Sequence, residues 1–123
     1  MYICTLLMIS KTNIKAFLED FHIKMDIWGI VVRDDRGKNT QTLFDLEITK
    51  AYRDKVLKEL EVEDYVDGPK EEILNGGADM WVFGKTIKGK EIYIKITIGL
   101  AGAKVICISF HIAEHPMTYI FKN

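Results

Sequence analysis

A chain of 123 residues, 48% apolar and 28% charged, holds enough core-forming material for one folded domain and too much for a disordered one. Two cysteines, Cys4 and Cys107, are too few for a secreted disulfide scaffold or a four-thiolate zinc site. The net charge is −1, but residues 1–79 carry a balance of −5 and residues 80–123 one of +4, so a polyanion would prefer the C-terminal part.

In chain order, Met1 to Ile9 is apolar but lacks a basic n-region and a cleavage site. It is too short to span a bilayer. It reads as an extension ahead of an alternative start at Met8, or as an extra edge strand. Ile14, Phe17, Leu18, Phe21, Met25 and Trp28 recur at helical spacing and predict a helix over 12–27. Ser10, Thr12 and Asn13 offer N-cap oxygens, and Gly29 is a terminator. Ile30 to Val32 predicts a short strand, and Arg33 to Lys38 a polar loop. Residues 40–48 fit either an extended segment or a helical turn. A second helix follows the cap Thr49, with Tyr52, Val56, Leu57 and Leu60 on its apolar face and Lys50, Arg53, Lys55, Lys58 and Glu59 toward water.

Glu61 to Pro69 reads as an acidic stretch with a turn at Asp67-Gly68-Pro69. Lys70 to Leu74 can add a helical turn before the breaker Asn75-Gly76-Gly77. Three strands follow, over 80–87, 91–98 and 105–112, the first two joined by a tight turn at Lys88-Gly89-Lys90. Ile92, Ile94, Ile96 and Ile98 face one way; Tyr93, Lys95 and Thr97 face the other. The same alternation sends Ile106, Ile108, Phe110 and Ile112 to the core face and Cys107, Ser109 and His111 opposite, although Cys107 also suits a small core position. The tail from Ala113, with Tyr119 and Phe121, is suited to cover a sheet edge. The expectation is one α+β domain, with N-terminal helices packed on a twisted antiparallel sheet built largely by the C-terminal third.

If the last two strands form a hairpin, Tyr93, Lys95, Ser109 and His111 share one surface. A phenol, an ammonium, a hydroxyl and an imidazole are the groups that metal-free phosphodiester chemistry uses. A base takes the ribose 2′-hydroxyl proton, a cation stabilises the phosphorane-like transition state, and an acid protonates the leaving 5′-oxygen. An imidazole serves either proton role near neutral pH. The plain reading of the same residues is the polar face of a half-buried sheet. Lys85, Lys88 and Lys90 on the hairpin, and Arg33, Arg36 and Lys38 in the loop, are candidate contacts to an RNA backbone; solvated or salt-bridged charges are their plain reading. His111-Ile-Ala-Glu-His115 has metal-ligand spacing for a helix, but on a strand the two imidazoles stand about 13 Å apart. His22 reads as a rim histidine and His115 as a loop residue. No phosphate-loop, dinucleotide or nucleophile-elbow motif is present, and neither cofactor nor metal is expected.

The segment Trp81 to Phe110 resembles the MqsR family of type II toxins. Glu91-Ile-Tyr-Ile-Lys-Ile-Thr-Ile98 is similar to the family's Val-Tyr-Leu-Lys-Ile-Thr-Val strand, and Val105 to Phe110 to its closing Leu-Ile-Val-Ser-Phe strand. Thr40-Gln-Thr-Leu43 and the stretch Leu60 to Tyr65 fall in the family's order. The resemblance implies a RelE-like fold and a cytoplasmic, metal-independent mRNA endoribonuclease neutralised by a cognate antitoxin protein. It places the family's active-site tyrosine on Tyr93 and its terminal lysine on His111. The family's glutamine falls on Val82, and its lysine after the second helix falls near Asp67. Together with the shared strand face and the placement of basic residues, this leads to catalysis being expected of Tyr93, Lys95 and His111, with Ser109, Lys85, Lys88, Lys90, Arg33 and Arg36 holding RNA. The losses at Val82 and Asp67 support an alternative, a non-catalytic module of the same fold that binds an antitoxin-like protein.

Overall fold

The computed structural model of the chain describes residues 9–34, 36–71 and 78–122. The readings of the N-terminal extension, of Glu72 to Leu74 as part of a helical turn and of the Asn75-Gly76-Gly77 breaker lie outside these residues. The elements are α1 (Lys11–Trp28), β1 (Ile30–Val32), α2 (Lys38–Leu46), α3 (Lys50–Lys58), a 3-10 turn (Val62–Asp64), β2 (Tyr65–Lys70), β3 (Met80–Ile87), β4 (Lys90–Thr97) and β5 (Val105–Ile112). The five strands form one sheet in the order β1-β5-β4-β3-β2. β2 to β5 pair antiparallel, while β1 joins β5 in parallel, with Ile30, Val31 and Val32 opposite Val105, Ile106 and Cys107. The sheet is therefore mixed rather than antiparallel throughout. Among the described residues no helix is long and apolar enough to cross a membrane.

The helix α1 starts where Ser10 Oγ accepts the Asn13 N–H (3.1 Å), and it ends at Gly29, whose φ is 90°. Ile14, Phe17, Leu18, Phe21 and Met25 are buried against the sheet, and Phe17 stacks on Trp81 of β3 at 4.6 Å between ring centroids. Trp28 leaves the expected stripe: it lies at the last turn of the helix, past the sheet contact, and is half exposed. α3 is rotated from the expected face. Arg53, Val56 and Leu57 are buried, with Leu60 just beyond, while Tyr52 is exposed. The buried Arg53 pairs its guanidinium with Asp54 at 2.9 Å.

Residues 40–46 resolve as helix, closed by Glu47 at positive φ, with Leu46 buried and Phe44 exposed. The N–H groups of Asn39 and Thr40, at the start of α2, are taken by the Asp34 carboxylate, which Thr40 Oγ1 also reaches. These bonds, led by the Thr40 hydroxyl, hold the Asp34 carboxyl below its ordinary range. The expected turn at 67–69 lies inside β2, which pairs with β3 through two irregularities. Lys70 is the last residue of that strand and not the first of a helical turn. The β3–β4 hairpin closes through Lys88 and Gly89, both at positive φ, as a two-residue turn of right-handed sheet twist requires.

β5 departs most from the alternation read in the sequence. Pairing with β4 jumps from Lys95↔Ser109 to Ile96↔Cys107, so Ile108 is the extra residue of a bulge. Upstream of it every side chain changes face. Val105 and Cys107 go to the core, fully buried, whereas Ile106 stands opposite Thr97 and both Ile106 and Ile108 are only partly buried. Burial pushes the Cys107 thiol up to about 12. β1 stops at Val32, leaving this part of β5 without a strand neighbour. The Asn39 side chain replaces one: its Nδ2 donates to Ile108 O (3.1 Å) and its Oδ1 accepts from Phe110 N (2.9 Å). Nδ2 also donates to Arg33 O.

Two measurements check this account. Asn39→Ala strands a buried N–H and a buried carbonyl and should cost about 2–3 kcal/mol in urea unfolding. Asn39→Asp, which keeps the shape but cannot donate, should not restore the loss. In a Cys4→Ser background, Cys107 should be inert to a disulfide reagent at pH 8 until the chain unfolds; reaction in the folded state would place it outside the core.

Candidate functional site

The core-facing isoleucines of β4 dictate what lies opposite. With Ile92, Ile94 and Ile96 buried under the helices, Tyr93 and Lys95 must point from the other face. Pairing then builds two rows across the sheet. Gly84, Tyr93 and His111 form one, and Val82, Lys95 and Ser109 the other, with Asp67 of β2 next to Val82. The expected quartet Tyr93, Lys95, Ser109 and His111 is thus brought together. Tyr93 and His111 stack at 5.4 Å with 21° between their planes, and Lys95 Nζ lies 5.8 Å from the Tyr93 ring centroid.

These residues floor a cavity of about 750 Å³. One wall is the loop after β1, with Arg33, Arg36 and Lys38; the other is the tail, with Glu114 to Thr118. Arg33 and Arg36 are therefore at the site, as expected. Lys38 of the same candidate group also lines it, and its Nζ meets Glu114 Oε2 at 2.6 Å. That bond holds the Glu114 carboxyl below its usual range. Asn39 brings the loop here, because its clamp on Ile108 and Phe110 draws Arg33, Arg36 and Lys38 to the cavity that Ser109 and His111 floor.

The hairpin lysines are not at the cavity. Lys85 pairs with Ile92 on the helix side of the sheet and reaches the buried Asp64 carboxylate at 3.0 Å. Lys88 Nζ donates to Leu46 O (2.8 Å), capping the C-terminal end of α2. Lys90 is exposed and does not line the cavity. The physical reason for Lys85 is strand parity: residues that alternate with Gly84 and Val82 turn to the opposite face. Two structural partners claim Lys85 and Lys88 before any ligand can.

His111 Nδ1 lies 3.0 Å from Ile112 O. A carbonyl only accepts, so Nδ1 carries the hydrogen and Nε2 keeps the lone pair of the neutral ring. Burial pushes the Tyr93 phenol up; Lys70 opposes the shift and Asp67 adds to it. Tyr93 is accordingly a neutral O–H donor at physiological pH. Lys70 was invisible as a site residue in the sequence, where it read as helical. In β2 it pairs with Asp67 at 2.7 Å, which raises its own pKa. His115 also lines the cavity, while His22 sits elsewhere with its Nε2 2.9 Å from Leu57 O. Among the described residues no group of three or more His, Cys, Asp and Glu is placed to hold a metal ion.

No family model matches the chain, and neither the curated proteins nor the solved structures contain a match.

Removing the Lys70 charge tests the electrostatics of this face. Lys70→Ala should raise the Tyr93 titration further, read as the tyrosinate absorbance that disappears in Tyr93→Phe. A downward shift would mean that Lys70 does not act on the phenol.

Proposed function

We propose that the chain is a metal-independent endoribonuclease of the type II toxin kind, with a RelE-like fold, acting on mRNA in the cytoplasm and held in check by a cognate antitoxin protein. The observation that carries this reading is the Tyr93–His111 stack beside Lys95 on the floor of a cation-walled cavity. His111 Nε2 takes the proton of a ribose 2′-hydroxyl, whose oxygen attacks the adjacent phosphorus. Lys95 faces the charge that grows on the non-bridging oxygens. Tyr93 gives its hydroxyl proton to the departing 5′-oxygen. The P–O5′ bond breaks, leaving a 2′,3′-cyclic phosphate and a 5′-hydroxyl, and the imidazolium returns its proton to the tyrosinate through solvent. Arg33 and Arg36 hold the flanking phosphates.

The sequence resemblance supports the same reading at Tyr93, and at His111 it offers an imidazole where the family has a lysine. Lys70, electrostatically coupled to Tyr93, brings a cation to the region where the family's lysine falls near Asp67. One observation favours the alternative of a non-catalytic partner-binding module: Val82, where the family's glutamine falls, is buried and carries no polar group.

Cleavage of a long single-stranded RNA in EDTA, with and without ribosomes, separates the two. The parent should cut and leave cyclic-phosphate and 5′-hydroxyl ends. His111→Ala and Tyr93→Phe should each be slower by about 100-fold or more. Equal rates in parent and variants would reject the site, and no cleavage together with unimpaired growth on expression would favour the binding module.

A further inference from the structure

We propose that residues 114–118 form a flap over the cavity, latched by Glu114 on Lys38 and released when an incoming anion takes Lys38 over. The inference rests on the anion-binding part of the reading above and not on cleavage.

Both ends of the segment are pinned by one residue. Ala113 N donates to Glu91 O (2.8 Å), extending the β4–β5 ladder by one bond. Tyr119 Oη donates to Glu91 Oε2 (2.9 Å). The second pin is seated in a notch that the sequence provides. A Cβ on Gly84 would lie 2.2 Å from Tyr119 Oη and 2.9 Å from Met117 Cε, so only glycine lets the tail lie this close to β3. Beyond it, Phe121 reaches Tyr65 on the edge strand β2, with ring centroids 6.0 Å apart.

Between the pins, five residues wall the cavity without regular secondary structure. Glu114 ties this stretch to the opposite wall through Lys38, with side chains 58% and 41% exposed. An exposed pair of this kind is weak and exchanges partners readily. The remaining carboxylates of the cavity have other tasks: Asp34 receives the N–H groups at the start of α2, and Asp67 holds Lys70. Glu114 is therefore the carboxylate that competes with a phosphate for the cations of the wall. A polyanion brings several phosphate oxygens to the Lys38 side of the cavity, whereas Glu114 brings one carboxylate.

Met117 reports on the flap, since its methyl group rests at Gly84 while its side chain lines the cavity. The full chain carrying ¹³C-methyl methionine, assigned with Met117→Leu, would be titrated with tripolyphosphate and with a 2′-O-methyl RNA hexamer, which cannot be cut. Binding should move the Met117 signal. Glu114→Gln without ligand should move it toward the bound position and tighten both ligands about 5-fold. Lys38→Ala should move the free signal in the same way yet weaken binding. An anion that binds with Met117 unmoved, an unchanged or weaker Glu114→Gln complex, or no binding by either probe would overturn the flap. Binding with the expected shifts in a protein that cuts no RNA would leave the flap standing and reject the nuclease.

Discussion

The side-chain amide of Asn39 bridging Ile108 O and Phe110 N is the interaction on which the rest of the polar face depends. A parallel neighbour would satisfy those two groups if β1 were longer, but β1 ends at Val32. A buried peptide group left without a partner is costly, so the bulge in β5 is tolerable only because one amide, donor and acceptor together, stands in for the missing strand. The arrangement sets the parity of both halves of β5. Phe110 and Ile112 keep the face of Ile92 and Ile94, and the shift at Ile108 turns Cys107 and Val105 inward as well.

The same contact brings together charges that lie far apart in sequence. Arg33, Arg36 and Lys38 belong to the acidic half of the chain, yet they wall a cavity floored by Tyr93, Lys95, Ser109 and His111. The surplus of positive charge after residue 80 is a poor guide to where an anion would bind. Much of it is spent elsewhere: Lys85 neutralises the buried Asp64, and Lys88 caps α2. The structure concentrates cation donors by docking a loop, not by clustering lysines along a hairpin.

The tail completes the site by a comparable economy. Glu91 holds it at two points, once through its backbone and once through its carboxylate, and Gly84 leaves the space in which Tyr119 sits. Burial and the Glu91 carboxylate both push the Tyr119 phenol well above its ordinary range, so the proton of that bond is retained at any physiological pH. The far pin of the segment is thus insensitive to pH in the neutral range.

Much of this was legible in residue order. Helical and strand periodicity are local properties, set by which side chains must leave water together, and they located α1, α3, β3, β4 and β5 to within a residue or two. The alternation in β4 alone put Tyr93 and Lys95 on one face, and the hairpin brought Ser109 and His111 beside them. What periodicity cannot carry is anything decided by a partner distant in the chain. The parallel docking of β1, the Asn39 clamp at the Ile108 bulge and the Lys38–Glu114 pair each follow from contacts between segments distant in the chain. The sequence by itself therefore determined which side chains share a strand face, because backbone geometry repeats every two residues. Only the tertiary structure decided which of the many exposed charges reach that face, because this depends on where one buried amide finds two unpaired peptide groups.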